Sequence, residues 1–250
     1  MLQDTHLDKI LFLDIETVPI YGAYSEVPDD VRIFWDKKAS SLIKTEDDTP
    51  ESIYERAGIY AEFGKIICIS VGFLAPSAGG RMQLRIKSFY GHDEQQLLGE
   101  FLELISQHYD DGRHLLCAHN GKEFDFPYLA RRILINGLTL PALLDIAGKK
   151  PWEIAHLDTM VLWKFGDFKS YTSLALLASV FNIPTPKNDM DGSDVARVYW
   201  EEKDLDRIVE YCQKDVLTIA QLLLKFKGES LIEQDDILIP ELKVMHSEED

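Results

Sequence analysis

Cysteine is scarce in this chain, and long apolar segments are missing. The three cysteines, Cys68, Cys117 and Cys212, are far apart in apolar contexts, which favours reduced core residues over disulfides or a zinc site. No apolar run reaches the roughly 18 residues that a transmembrane helix needs, and the first residues lack the charged-then-apolar pattern of a signal peptide. We therefore expect a soluble, cytoplasmic protein that does not bind membranes.

Basic residues are also in short supply. Lys and Arg number 26 against 43 Asp and Glu, which gives a net charge of −17 and argues against a simple nucleic-acid coat or a membrane-surface binder. The excess is uneven, because residues 229–250 contain eight acidic residues and one lysine, whereas residues 120–187 contain eight basic and six acidic ones. If a polyanion binds, we expect the middle third to meet its charges.

The length of 250 residues, 46% of them hydrophobic, allows a sizeable core. We expect one large domain at 1–228, with a polar insertion at about 21–63 and an acidic tail at 229–250. Helix-start signals predict two helices in the insertion, at 29–42 and 50–61. Two questions stay open: whether the insertion is a wall beside a substrate or a surface elaboration, and whether the tail docks, is disordered or contacts a partner.

The most informative stretch is ILFLDIET at residues 10–17. Its apolar part predicts a strand buried on both faces. Asp14 and Glu16 follow at i and i+2, so both side chains point to the same face of the strand. Two such carboxylates repel each other and are costly to desolvate unless positive charge lies between them. A divalent cation is the simplest candidate, although a solvated strand end is the more frequent meaning of an isolated D-x-E.

Patterns along the rest of the chain predict an α/β fold. A turn signal with Pro and Gly-Gly lies between strands expected at 65–74 and 82–90, so the first three strands are expected to form an antiparallel meander. A helix at 93–108 comes next, then a strand at 114–118 that opens into a loop and a second helix at 126–136. We expect a mixed central sheet, antiparallel at first and then parallel, flanked by helices.

Further acidic residues follow the carboxyl ends of predicted strands, where α/β sheets usually carry their functional sites. The loop HNGKEFD ends in Asp125, in the first turn of the following helix, where the helix dipole also favours a carboxylate. Asp158 is expected as a helix N-cap. On the last helix, at about 204–225, Tyr211 and Asp215 lie four residues apart and share one face beside the apolar stripe.

Together, the strand-borne D-x-E, the N-x-x-x-F-D and the Y-x-x-x-D resemble the motifs of the DEDD superfamily of 3'-5' exonucleases, which has the ribonuclease H-like fold, in its tyrosine-bearing branch. The forms DIET, AHNGKEFD and YCQKD are most similar to the proofreading domain of family-B DNA polymerases and to the stand-alone predicted exonucleases related to it. The resemblance covers about residues 10–225. The histidine-bearing branch would place His one position before the tyrosine, but residue 210 is Glu.

The resemblance implies two divalent cations, Mg²⁺ or Mn²⁺, about 4 Å apart. The implied metal ligands are Asp14, Glu16, Asp125 and Asp215. Tyr211 completes the catalytic set by orienting the attacking water. The implied substrate-binding residues are Thr17, Asn120 and Phe124.

The implied activity is metal-dependent release of nucleotides from the 3' end of single-stranded DNA. An RNA substrate, or a non-catalytic nucleic-acid- or protein-binding module of the same fold, is the alternative. The presence of the four carboxylates and the tyrosine argues against the module. The choice between DNA and RNA depends on pocket shape, which the sequence does not give, and the sequence leaves protein partners open.

Overall fold

Strand β1, Ile10–Pro19, lies in the interior of the sheet in the computed structural model. The structure describes residues 5–167, 171–184 and 190–242. The apolar start of β1 is fully buried, as its run of apolar residues predicts. β1 pairs antiparallel with β2, Gly64–Pro76, and parallel with β4, Leu115–Ala118. Both edges of β1 are therefore hydrogen-bonded to neighbouring strands.

The sheet has six strands in the order β5-β4-β1-β2-β3-β6. β3, Met82–Tyr90, continues the antiparallel meander from β2. β5, Leu157–Asp158, adds to β4 in parallel, and β6, Ile237–Leu238, adds to β3 in parallel. Antiparallel first strands followed by parallel ones confirm the expected mixed α/β sheet.

Helices cover both faces of this sheet. On one face α2 and α3 pack over Leu11, Leu13 and Ile15, and on the other α7 packs over Ile10 and Phe12, so alternate residues of β1 enter two separate cores. Within the described ranges, no helix is long and apolar enough to cross a membrane. The helices are α1 Asp29–Ser40, α2 Glu94–His108, α3 Asp125–Ile135, α4 Thr159–Lys164, α5 Leu174–Val180, α6 Val195–Arg197 and α7 Leu205–Lys227.

The insertion between β1 and β2 has a small core of its own. The buried side chains Trp35 and Ala39 of α1 pack there against Tyr54 and Ala57. Trp35 contacts the Tyr54 ring edge-on, with centroids 5.6 Å apart. The first helix expected in the insertion is confirmed by α1.

The second helix expected in the insertion, at 50–61, is not α-helical. A turn leads instead into a 3-10 helix, Tyr54–Ile59. The Pro50 carbonyl accepts the Trp35 indole N–H at 2.8 Å, and the Tyr54 N–H bonds to Glu51. The α-helical bond from Tyr54 to Pro50 is therefore replaced by a shorter turn and a tertiary contact.

The beginning of the acidic tail packs against the domain. The backbone of Ile232 exchanges two hydrogen bonds with the Gln221 side chain of α7, at 2.8 and 2.9 Å. Asp236 is buried and forms an ion pair with Arg81 at 3.3 Å. Residues 229–242 thus dock on α7 and β3, and the rest of the tail lies outside the described residues.

Candidate active site

Asp14 and Glu16 occupy the end of β1 and share one face of the sheet, as their spacing predicts. Ile15, between them, points to the opposite face and is buried beneath α2 and α3. The pairing register with β2 shifts between Glu16 and Thr17, which is the kind of bulge that re-aims side chains beside functional sites. Carboxylate oxygens of Asp14 and Glu16 and the Cys212 sulfur all lie within 4.8 Å of one another.

Helix α7 brings the next carboxylate to this end of β1. The buried thiol of Cys212 donates a hydrogen bond to the Asp14 carbonyl oxygen at 3.4 Å. Tyr211 precedes Cys212, and its hydroxyl lies close enough to the Asp215 carboxylate for each group to affect the pKa of the other. The i, i+4 spacing therefore places Tyr211 and Asp215 on the flank of α7 that faces β1.

The loop after β4 places Asn120 and Asp125. Asn120 adopts left-handed backbone with φ 66°. No side chain fits at Gly121, because a Cβ there would lie 2.5 Å from Ala118 Cβ and 2.8 Å from Phe126 Cζ. The resulting tight turn leads into α3, whose first turn contains Asp125, buried with only 3% of its surface exposed.

Asp158, in β5, anchors the loop after β4 through hydrogen bonds. Its carboxylate accepts the N–H groups of Met160 and Val161 at 3.0 and 3.1 Å, which confirms the expected N-cap. It also accepts the N–H groups of Asn120 and Lys122, each at 3.1 Å. Local sequence patterns do not predict these two bonds, because their partners lie 38 and 36 residues away along the chain.

The site carboxyl groups resist full ionisation. Burial, reinforced by neighbouring carboxylates, raises the pKa of Asp14 and that of Glu16 well above the ordinary values. Burial likewise raises the pKa of Asp125 to about 8 and that of Asp215 to about 6. Without added positive charge, Asp125 therefore retains its proton at neutral pH, whereas Asp215 is largely ionised.

The phenol of Tyr211 also keeps its proton. Burial, followed by the charges of Asp215, Glu16 and Asp14, raises the pKa of Tyr211 far above that of a free phenol. At neutral pH the hydroxyl can therefore donate a hydrogen bond, but it cannot act as a base.

All eight residues selected from the sequence line one cleft of about 860 Å³, a volume typical of ligand sites. Asn120 Oδ1 is buried there without a hydrogen-bond partner among the described residues. The Phe124 ring packs against the Tyr128 ring, with centroids 5.3 Å apart, and forms part of an apolar wall of the cleft. The eight residues are Asp14, Glu16, Thr17, Asn120, Phe124, Asp125, Tyr211 and Asp215.

The cleft has further walls that the sequence analysis did not assign. Arg56 and Ile59 of the insertion line it, which supports the wall interpretation of that segment over a surface elaboration. Arg56 is held there by a hydrogen bond to the Leu42 carbonyl at 3.2 Å. Tyr171, 67% exposed, and residues 190–193 complete other parts of the lining. These residues come from separate segments without a shared motif, so only the folded chain brings them together.

The donor atoms of the cleft fit a hard divalent cation. Mg²⁺ and Mn²⁺ prefer carboxylate oxygens, and four carboxyl groups line the cleft. Asp14 Oδ2 is buried and has no hydrogen-bond partner in the described part of the chain, an arrangement that is costly unless a cation binds the oxygen. The Cys212 thiol already donates to a carbonyl, and burial raises its pKa, so it stays protonated beside the oxygen ligands.

Two known proteins are similar to part or most of this chain. A DNA polymerase from Pyrococcus glycovorans is 23% identical over an alignment of 149 residues, and the match covers 53% of this chain and 18% of the polymerase. The structure of the family B DNA polymerase from the hyperthermophilic archaeon Pyrobaculum calidifontis aligns with 18% identity and a TM-score of 0.48, over 87% of this chain and 24% of that chain. The chain thus spans less than a quarter of the length of either polymerase.

A family model matches residues 59–235. The matched range contains the loop after β4 and helix α7, whereas Asp14 and Glu16 precede it. It covers more than half of the 250 residues. The chain therefore belongs to the family described as predicted 3'-5' exonucleases related to the exonuclease domain of PolB.

Proposed function

We propose that this protein is a metal-dependent 3'-5' exonuclease that releases nucleotides from the 3' end of single-stranded DNA. The observation that carries the proposal is the convergence of four carboxyl groups from β1, α3 and α7 on one cleft, with the Asp14 oxygen left unpartnered. Family membership supports the reaction class, and the DNA polymerase relative favours DNA over RNA.

The carboxylates would bind the cations that the reaction needs. Asp14, Glu16, Asp125 and Asp215 would hold two Mg²⁺ or Mn²⁺ ions, which supply positive charge to lower the pKa of water and to offset charge on the phosphorus. The fold would hold these carboxylates in position. The Cys212 thiol joins α7 to β1, and hydrogen bonds to Asp158 anchor the loop before Asp125.

The remaining cleft residues would orient water and substrate. Tyr211 retains its proton, so its hydroxyl would position the attacking water by hydrogen bonding. Asn120 Oδ1 lacks a partner and would accept a hydrogen bond from the terminal 3'-hydroxyl. Thr17 would contact the same nucleotide, and the apolar wall at Phe124 would pack against its base.

The direct test is a gel assay with a 5'-labelled single-stranded DNA and the matching RNA, each with Mn²⁺, Mg²⁺ or EDTA. We expect a metal-dependent ladder that shortens from the 3' end, faster on DNA. Asp14→Asn should lower the rate by about 10³-fold or more, and Tyr211→Phe by about tenfold. Glu123→Gln, which removes an exposed carboxylate two residues from Asp125, is the matched control and should retain full activity.

Other outcomes would reassign the protein. A ladder that is faster on RNA would replace the DNA substrate with RNA. An unchanged rate for Asp14→Asn would overturn the metal-site assignment. No product in any lane from folded, Mn²⁺-binding protein would leave a binding module of this fold.

A further inference from the structure

A second group of polar and aromatic side chains lies where β1 ends and β2 begins. It is separate from the carboxylates and contains two lysines, a histidine, a tyrosine and a tryptophan. We call this group the basic cluster. Its members are Lys65, His92, Tyr199, Trp200 and Lys203.

Aromatic side chains hold both lysines of the basic cluster in place. Lys65 Nζ donates a hydrogen bond to the Tyr199 hydroxyl at 3.2 Å and lies 5.2 Å from the Trp200 ring centroid. Lys203 Nζ lies 5.1 Å from the same ring. The Trp200 indole N–H is in turn fixed by the Pro19 carbonyl at 3.1 Å. Two ammonium groups are thus gathered around one anchored indole.

The positive charge of the cluster is not neutralised. Neither Lys65 nor Lys203 forms an ion pair with a residue in the described ranges. His92 Nδ1 lies 2.8 Å from the Tyr199 hydroxyl. Burial, followed by the charges of Lys65 and Lys203, lowers the pKa of His92, so the imidazole is neutral at pH 7 and available for hydrogen bonding.

Neighbouring carboxylates are already engaged elsewhere. Glu94, whose charge acts on Lys65, forms a buried ion pair with Arg132. Glu202 pairs with Arg197 and Arg207. The Glu26 carboxylate, which approaches Gly22 beside the Trp200 ring, accepts the N–H groups of Gly22 and Ala23. In a chain of net charge −17, two ammonium groups beside one indole that form no ion pair with a described residue indicate a place for an external anion, because cation–π contacts at exposed sites contribute only about 0.5–1 kcal/mol each.

The basic cluster borders the catalytic cleft. Val18 lies two residues beyond Glu16 on β1, about 7 Å along the strand, and pairs with Lys65. On the other side, Ala196 lines the cleft and lies two residues before the π-helical turn Val198–Glu202 that carries the tryptophan. A strand with its 3' end in the cleft could therefore reach the cluster with a nearby phosphate.

We propose that Lys65 and Lys203, with His92 beside them, bind a backbone phosphate of the nucleic-acid strand whose 3' end occupies the cleft. This inference rests on the proposed function for the identity of the strand. The cluster would then hold the nucleic-acid strand while the terminal nucleotide is positioned. Both lysines lie outside the basic middle third of the sequence, residues 120–187. Lys65 supplies a half-buried charge, and Lys203 an exposed one.

The test is fluorescence anisotropy with a 5'-labelled oligothymidylate of twelve nucleotides, with Ca²⁺ in place of Mg²⁺ and a gel to verify that the strand stays intact. Lys65→Gln with Lys203→Gln removes both charges and keeps long polar side chains. We expect affinity to fall about five- to tenfold at low salt, and the slope of log affinity against log salt to shrink by about 0.7, the contribution of one single-strand phosphate contact. Circular dichroism should show a native fold.

The matched control is Lys149→Gln with Lys150→Gln. It also removes two charges, one of them from a lysine 5.2 Å from a tryptophan ring, that of Trp152. Neither lysine belongs to the basic cluster, and Lys149 lines a different cavity. It should leave affinity and slope near those of the wild type. Equal loss in both double variants would mean that only net charge matters and would overturn the assignment.

Three more results bear on the basic cluster. In the first, inorganic phosphate is added at constant ionic strength. If it removes the difference in affinity between wild type and the cluster variant, the cluster binds free phosphate and not a backbone phosphate. Unchanged affinity and slope in the cluster variant, or no binding by the wild type, would also overturn the inference. Lysine-dependent binding without hydrolysis would uphold it while the proposed exonuclease activity failed.

Discussion

The thiol of Cys212 donates a hydrogen bond to the backbone carbonyl oxygen of Asp14, at 3.4 Å. This contact joins the interior of α7 to the end of β1, two elements that carry carboxylates of the cleft. Both Cys212 and the strand residues beside Asp14 are buried. The distance between the carboxylates of Asp14 and Asp215 therefore depends on how α7 packs at this point.

Truncation of this thiol should disturb the site as well as the fold. Cys212→Ala removes a buried sulfur and should lower the free energy of unfolding by about 1–2 kcal/mol, measured by urea denaturation. Cys117→Ala removes an equally buried thiol from β4 and should cost a similar amount. Only the Cys212 variant should weaken Mn²⁺ affinity. Equal Mn²⁺ affinity in the two variants would show that the contact does not position Asp14.

The stability of the metal-free protein should depend on pH through Asp125. Its pKa is about 8 when folded and about 3.9 when unfolded, so the folded state binds the extra proton between these values. Stability then falls as pH rises through this window, and the full penalty is present above pH 8. Asp125→Asn should be more stable than wild type at pH 8, by about 1–3 kcal/mol, and the difference should fade toward pH 4. A difference independent of pH would contradict this.

Cation binding should offset the loss of stability that comes from ionising the buried carboxyl groups. In EDTA-treated protein, Mn²⁺ at about 100 times its dissociation constant should add about 2.7 kcal/mol of stability, read as a rise in Tm. Because carboxyl groups with raised pKa values must ionise, binding at pH 7 should release protons, measurable by calorimetry in two buffers of different ionisation enthalpy. Glu123→Gln should behave as wild type. Binding without proton release would argue that the ions bind elsewhere.

Asp158 should contribute more than an ordinary helix cap. Asp158→Ala leaves four backbone N–H groups without their acceptor and should cost about 2–4 kcal/mol. Asp93→Ala removes a cap that accepts a single N–H, that of Gln96, and should cost about 1 kcal/mol. Chemical denaturation of both variants measures the difference. A loss no larger for Asp158 than for Asp93 would show that the bonds to the Asn120 loop contribute little.

The sequence alone is sufficient to predict the elements whose periodicity is strong. The apolar run of β1 predicts burial on both faces, and the i, i+2 spacing predicts that Asp14 and Glu16 share one face. The apolar stripe of α7 predicts that Tyr211 and Asp215 flank it. These relationships are local, since each depends on the geometry of one strand or one helix.

Relationships between distant segments are not predictable in the same way. The bonds from Asp158 to the Asn120 loop join separate elements, and the two-residue strand β6 has no alternation to detect. The 3-10 helix Tyr54–Ile59 replaces a predicted α-helix because the Pro50 carbonyl is taken by the Trp35 indole. In each case the deciding partner is remote in sequence, so local propensity carries no information about it.

Strand β1 pairs with β2 from Leu11 to Pro19 and with β4 at Ile10–Phe12, and it has a core on each face, so local opening of its backbone should be rare. We expect the amides of Asp14 and Glu16 to exchange with solvent only when the whole domain unfolds. Mutual repulsion of the carboxylates then lowers global stability but cannot loosen the site by fraying. The carboxylates lie on a strand that is already formed, so we expect cations to bind without coupled folding.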